Sequence, residues 1–145
     1  MTVRSGFVPP VSPFGLIQET LWPDEWKILV SCVLLNRTTR RAMEKVLPAL
    51  FAEYPDARSM SQARPDDLAQ MTASLGFKNR RAGNLIRLSK EYLGSTWSNA
   101  EDLPGIGSYG AAVWQIFCRG ELPETCPADG ALSKYWAWRK SHADR

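Results

Sequence analysis

Two features of the 145-residue chain could do chemistry together. Residues 103–110 read Leu-Pro-Gly-Ile-Gly-Ser-Tyr-Gly, and about twenty positions further on stands Asp129. Pro104 fixes one φ at the entry of a tight turn, and Gly105 and Gly107 put no Cβ between the backbone and a ligand. A helix opening at Ser108 points its positive end and its free N–H groups at whatever the turn meets, an arrangement that can hold a phosphate. A carboxylate delivered nearby could act on the nucleotide so held. Each feature also has an ordinary reading: a Gly-rich connection between two helices, and an aspartate that caps a helix N-terminus. For Asp129 the two readings are compatible, because a capping carboxylate is held rigidly.

The elements that must position these groups are helical nearly throughout. Ser12-Pro13 reads as an N-cap followed by proline at the first helical position, opening a short helix through about Leu21. Pro23, Asp24 and Glu25 start a second, whose Trp26, Leu29, Val30, Val33 and Leu34 follow the spacing of one helix face. The polar stretch Asn36-Arg37-Thr38-Thr39 interrupts it and caps a third helix reaching about Tyr54, which Pro48 should kink or shorten. Ala63-Arg64-Pro65-Asp66-Asp67 opens a fourth, stopped by Gly76. A fifth runs from about Asn79 to Gly94, with Ala82, Leu85, Ile86, Ser89 and Leu93 on one side. Beyond the hairpin, Ser108 caps a sixth helix ending at Gly120. Leu122 to Ala128, with Pro123 and Pro127, forms an extended loop, and Asp129 opens a last helix through about Ser141. There is no alternating strand pattern of useful length, no repeat and no low-complexity linker. The expectation is an all-α fold, one compact domain over residues 1–145.

Composition narrows the function classes. The length allows a real core, and 44% apolar residues with six Trp argue against disorder. No apolar run is long enough to span a bilayer, and the N-terminus lacks a signal-peptide pattern, so no membrane association is expected. Cys32, Cys118 and Cys126 have no CxxC spacing, so no bound metal is expected and a reduced, intracellular protein is. A net charge of +3 says little about nucleic acid. The local clusters Arg37, Arg40, Arg41 and Lys78, Arg80, Arg81 say more, either as phosphate contacts or as solvated helix faces.

The Leu103–Gly110 segment resembles the helix-hairpin-helix of the DNA glycosylase superfamily that includes endonuclease III and the adenine glycosylases. Four segments carry the resemblance in order: the polar loop Leu34-Leu35-Asn36-Arg37-Thr38, the loop Leu75-Gly76-Phe77-Lys78-Asn79-Arg80-Arg81-Ala82, the hairpin with Tyr109, then Cys126-Pro127-Ala128-Asp129. It covers about residues 10–140. Members that also cut the DNA backbone carry a lysine two residues after the second hairpin glycine; here that residue is Tyr109, so no imine can form at that position. Tyrosine there, and Ser12-Pro13-Phe14-Gly15-Leu16-Ile17-Gln18, resemble the mismatch-specific thymine and uracil glycosylases, the methyl-CpG-binding thymine glycosylases among them.

The resemblance implies a monofunctional DNA glycosylase that excises thymine or uracil from G·T and G·U mismatches in base excision repair. It implies Asp129 as the catalytic carboxylate with Tyr109 beside it, and Gln18 lining the base pocket. It implies insertion of Arg37 into the duplex, Phe77 as a wedge against the opposite base, and phosphate contacts from Lys78, Arg80 and Arg81. Gly105, Gly107 and Ser108 would grip the backbone of double-stranded DNA. A monovalent cation at the hairpin carbonyls is part of the same implication. The four-cysteine iron–sulfur cluster of many members has no ligands after Cys126, so no cofactor is expected. Gly130 and Ala131 depart from the larger, more polar residues that follow the aspartate in the methyl-CpG-binding enzymes. The alternatives are an adenine glycosylase acting opposite oxidised guanine, disfavoured by Tyr109, and a non-enzymatic helix-hairpin-helix module in which Asp129 only caps. A monomer is expected, located with the DNA: in the nucleus of a eukaryote, or the cytoplasm and nucleoid of a prokaryote.

Overall fold

Asp24 accepts a hydrogen bond from the Lys27 N–H at 3.0 Å and so opens α2 (Glu25–Leu35). The computed structural model describes residues 3–94 and 96–142. In it α2 is buried well beyond one face: Ile28 and Ser31 have no exposed surface, like Leu29, Val30 and Leu34. A helix apolar nearly all round belongs in the middle of a fold. Accordingly α2 packs against α1 (Ile17–Leu21), α3 (Arg40–Glu53), α6 (Lys78–Gly94) and α7 (Ser108–Phe117). On the other side of α6 lie α4 (Ala57–Ser61) and α5 (Pro65–Met71), and α8 (Gly130–His142) ends the chain's described part. Among the described residues there is no strand, so the fold is all-α.

Buried polar groups fix these helices to one another. Trp26 Nε1 donates to Ser89 Oγ at 3.0 Å. The Glu25 side chain, on a residue only 2% exposed, accepts from Trp114 Nε1 at 3.0 Å and from the Tyr92 hydroxyl at 3.1 Å. Each such bond contributes about 1 kcal/mol net, and leaving one unmade in the core costs more. Together they set α2, α6 and α7 in register, and the hairpin sits where α7 begins. Buried Leu103 and Ile106 anchor that hairpin in the core, and the Ile106 N–H closes its turn on the Leu103 carbonyl at 3.2 Å.

Several boundaries differ from the sequence reading. No helix starts at Ser12-Pro13. The Ser12 hydroxyl accepts from the Phe14 N–H and donates to Glu19, whose carboxylate also accepts from the N–H groups of Ser12 and Leu16. That turn, ended by Gly15 at φ +58°, delays α1 to Ile17. A short helix after Pro55, capped by Asp56, was not expected; its signal is the Pro-Asp pair itself. The fourth expected helix ends at Met71, and a 3₁₀ turn (Ala73–Leu75) leads to Gly76. The Thr72 hydroxyl donates back to the Leu68 carbonyl at 3.1 Å at this break. Pro48 does not shorten α3, which reaches Glu53. Gly107, not Ser108, is the cap of α7, and that helix stops at Phe117 rather than Gly120. Leu93 is 49% exposed and does not join the buried side of α6.

Candidate active site

The end of α2, the turn before α1, the start of α7 and the start of α8 enclose a cleft of about 710 Å³. Gln18, Arg37, Tyr109 and Asp129, four residues from distant parts of the chain, all line it. Asp129 is exposed, and its Oδ2 accepts from the Leu132 N–H at 3.0 Å while its carbonyl accepts from Ser133 at 2.7 Å. It is therefore the N-cap of α8, which fixes the carboxylate and leaves Oδ1 without a hydrogen bond among the described residues. Its charge reaches inward: after burial, Asp129 is among the groups that push up both the Tyr109 hydroxyl and the Cys32 thiol. The thiol is pushed up to about 12, so Cys32 stays protonated and is no nucleophile. Tyr109 is held neutral in the same way.

Gln18 is 1% exposed. Its Nε2 donates to the Tyr109 hydroxyl oxygen at 3.1 Å and to Ser31 Oγ at 3.4 Å, and Ser31 in turn donates to the Ile28 carbonyl. Both amide protons are thus committed to the protein, and the amide oxygen is left as an acceptor. Because Tyr109 accepts from Gln18, its own O–H proton is free to donate into the cleft.

Beside the cleft, the hairpin lines a second depression of about 200 Å³, formed by Gly105, Gly107, Ser108 and Tyr109 with Cys32, Asn36 and Gly110. The first N–H of α7 with a helical partner is that of Ala111, which donates to Gly107 at 2.9 Å. The N–H groups of Ser108, Tyr109 and Gly110 have no side-chain cap, so the helix dipole ends there on open donors.

A third depression, about 180 Å³, shares Asn36 and Arg37 with the cleft and is lined by Arg37, Phe77 and Arg80 with Val33, Asn36, Arg81 and Asn84. Arg37 and Phe77 are the described non-glycine residues with positive φ, at 59° and 50°. The left-handed conformation costs such residues about 1–2 kcal/mol each. The Arg37 guanidinium lies 5.7 Å from the centre of the Phe77 ring, and Phe77 is 56% exposed. Lys78 is exposed at the start of α6 and lines none of the three depressions.

Arg81 corrects the sequence reading. It is 4% exposed and turned inward, where it donates to the carbonyls of Val33, Leu34, Asn36, Leu75 and Gly76, each at 3.0 Å. It has no proton left for a phosphate. Burial without a carboxylate partner lowers its pKa below the usual arginine value.

These three depressions meet the sequence at one further point. Residues 30–142 match the HhH-GPD superfamily base excision DNA repair protein family. The chain belongs to this superfamily. Over 135 residues, 93% of its length, it is 36% identical to the methyl-CpG-binding domain protein 4-like protein of Arabidopsis thaliana, of which it covers 30%. It is 34% identical over 93 residues to the thymine-DNA glycosylase of Aeropyrum pernix, covering 42% of that enzyme. The chain thus spans less than half the length of these relatives. Among solved structures, a thermostable thymine-DNA glycosylase superposes with a TM-score of 0.66 at 23% identity, over 82% of this chain and 56% of that one. An endonuclease III in a non-covalent DNA complex gives 0.62 at 20% identity, over 85% and 72%. At such identities the likeness is one of fold.

Within this HhH-GPD fold, residues assigned no individual role at the cleft from sequence also reach it. Asn36 lines all three depressions and joins them. Its signal was its place next to Arg37 in the polar break after α2. Lys134 brings an amine into the cleft, one helical turn beyond Gly130 on the face of α8 that starts at Asp129. Phe14 stands at the mouth, 43% exposed. Arg40 also lines the cleft, but it bonds the Gly15 carbonyl and pairs with Glu44, so it holds the turn before α1 to α3.

Proposed function

We propose that the chain is a monofunctional DNA glycosylase domain that hydrolyses the N-glycosidic bond of thymine or uracil opposite guanine and leaves an abasic site. The observation that carries this reading is the convergence of Asp129, Tyr109 and Gln18 on one cleft next to the hairpin. A base in a duplex is out of reach of that cleft, so it must be flipped out, and a wobble pair gives way more readily than a sound one. Phosphates on the hairpin N–H groups would hold the strand while Arg37 and Phe77 fill the space the base leaves. The hairpin carbonyls of Gly105 and Ile106 accept no hydrogen bond from described residues. Uncharged oxygen donors of this kind suit a monovalent cation, which would add positive charge behind the phosphate.

The chemistry follows from the groups present. Leaving of the base builds positive charge on the deoxyribose, which the Asp129 carboxylate stabilises while its free oxygen takes a proton from the attacking water. The departing pyrimidine carries negative charge toward its carbonyl oxygens, where the Tyr109 O–H can donate. The Gln18 amide oxygen suits the N3–H of thymine and uracil and opposes the bare N3 of cytosine. Thymine-DNA glycosylase is the name of one relative, which supports the same choice of base. The partner is then double-stranded DNA carrying a mismatched or deaminated base.

Lys134 gives a second reading, because an amine in the cleft could form an imine with the abasic sugar and cut the strand. One experiment separates these. Duplexes carrying G·T, G·U or oxidised guanine opposite adenine are incubated with the protein, and breaks are scored with and without alkali and after borohydride. Excision from G·T and G·U with no borohydride adduct and no break before alkali is expected, and Asp129→Asn should slow it by about 10²–10⁴-fold. An adduct lost in Lys134→Ala would replace the monofunctional reading with a lyase. Excision of adenine alone would move the substrate to oxidised mispairs, and no excision at all would leave a DNA-binding module.

A further inference from the structure

Arg81 lies beneath two loops that are remote in sequence. One is the exit of α2 at residues 33–36, which leads to Arg37, and the other is the approach to Phe77 at residues 75–76. The guanidinium has five N–H donors, and all five are used: three on the carbonyls of Val33, Leu34 and Asn36, two on those of Leu75 and Gly76. A cap for the end of α2 alone would need only the first three. The other two go to the second loop, and above the guanidinium the tips of both loops touch through Arg37 and Phe77.

We propose that Arg81 is a positioning residue that joins these two loops into one wedge, so that Arg37 and Phe77 enter a duplex as a single body. The inference rests on the DNA-opening role given to those two side chains above. Opening a pair is uphill, and binding energy reaches the base only if the inserted groups do not yield. Two left-handed loop tips on separate, unlinked loops would relax under that load. The shared guanidinium prevents it because its planar fork reaches both loops at once. A lysine has three donors on one point and cannot span both sets of carbonyls.

The test reads duplex opening rather than excision. A G·T duplex with a non-cleavable 2′-fluoro sugar at the thymine carries 2-aminopurine beside it, and its fluorescence rises when the pair opens. Arg81→Lys should reduce that rise at saturating protein by at least about tenfold. Its affinity for the same duplex, set largely by phosphates, should change by less than about threefold. In an Arg37→Ala background the same substitution should add less than about twofold, because the two act through one wedge. Arg81→Met, which fills the channel without charge, carries the same expectations, and each variant is measured at 10 °C with its helical circular dichroism recorded. The proposal is overturned if Arg81→Lys opens the duplex as the unsubstituted protein does, or if its effect persists in full without Arg37. It is equally overturned if both Arg81 variants lose their helical structure, since a link confined to two loops leaves the packing of α4 and α5 on α6 intact. Failure of the unsubstituted protein to open DNA also overturns it. Opening of the duplex by a protein that excises nothing from ordinary G·T DNA would sink the glycosylase reading alone.

Discussion

The two depressions that adjoin the cleft are built by opposite means. The hairpin side presents backbone: Gly105 at φ +79°, Gly107, and the open N–H groups of α7, with no charged residue lining its depression. The other side presents the side chains of Arg37, Phe77 and Arg80, the first two on backbone that L-residues disfavour. Where a left-handed turn is needed on the hairpin side, glycine supplies it without strain. On the wedge side glycine would be no solution under the proposed role, which needs a side chain to enter the duplex. Among the described residues, left-handed strain on non-glycine backbone is confined to that side, and a buried arginine stands under it. The side proposed to grip a phosphate is relaxed.

The largest stability effect expected from this contrast is at Gly105. A Cβ there would stand 3.2 Å from Val33 Cγ2, on the central helix, and the backbone would be left-handed. Gly105→Ala should cost about 2 kcal/mol from strain and overpacking together, read as a lowered thermal midpoint. A loss below about 0.5 kcal/mol would mean that the hairpin turn adapts and is not the relaxed, fixed frame described here.

The wedge side should behave in the reverse way. Phe77→Gly and Phe77→Ala both remove the ring and its contact with Arg37, so their difference isolates the backbone. The glycine variant should be more stable by about 1 kcal/mol, the left-handed cost less the extra chain entropy of glycine. Arg37→Gly against Arg37→Ala should give the same sign. Both members of each pair should lose duplex opening equally. If alanine and glycine are equally stable at these positions, strain is not what distinguishes the two sides.

Much of this arrangement was legible in the chain, for reasons that differ by residue. Tyr109 and Asp129 stood next to strong local signals, a Pro-Gly-Ile-Gly turn and a helix cap after a proline-rich loop, and the structure places both in the cleft. Gln18 was reached by resemblance alone, since nothing in its local pattern says that Nε2 will be committed to Tyr109, 91 residues away. Arg81 was misread because a basic cluster on a helix looks the same whether its members face water or carbonyls. Its periodicity held the answer: Arg81 lies four residues before the buried Leu85, on the inward face of α6, whereas Arg80 does not. The break of the first expected helix was hidden because Ser12 competes for backbone through Glu19, a contact seven residues away that no capping rule anticipates. All-helical character, by contrast, needed only periodicity.

The smallest stability effect should come from Gly107, and it bears most directly on the difference between the two hairpin glycines. A Cβ at Gly107 would meet nothing within 4 Å, and its φ of −102° suits any residue. As the N-cap of α7 it should lose only about 0.5 kcal/mol on substitution by alanine. Gly107 nonetheless lines the hairpin depression, where the proposed phosphate would approach, and a methyl group there would take up part of that open space. Gly107→Ala should therefore weaken duplex binding by about tenfold. The slope of log affinity against log salt should also fall by about one. Gly105→Ala lowers stability and affinity together, through the shape of the turn; Gly107→Ala should lower affinity nearly alone, through the room left for the ligand. If Gly107→Ala binds DNA as the unsubstituted protein does, no phosphate approaches from that side, and the second glycine of the hairpin serves only the connection between two helices.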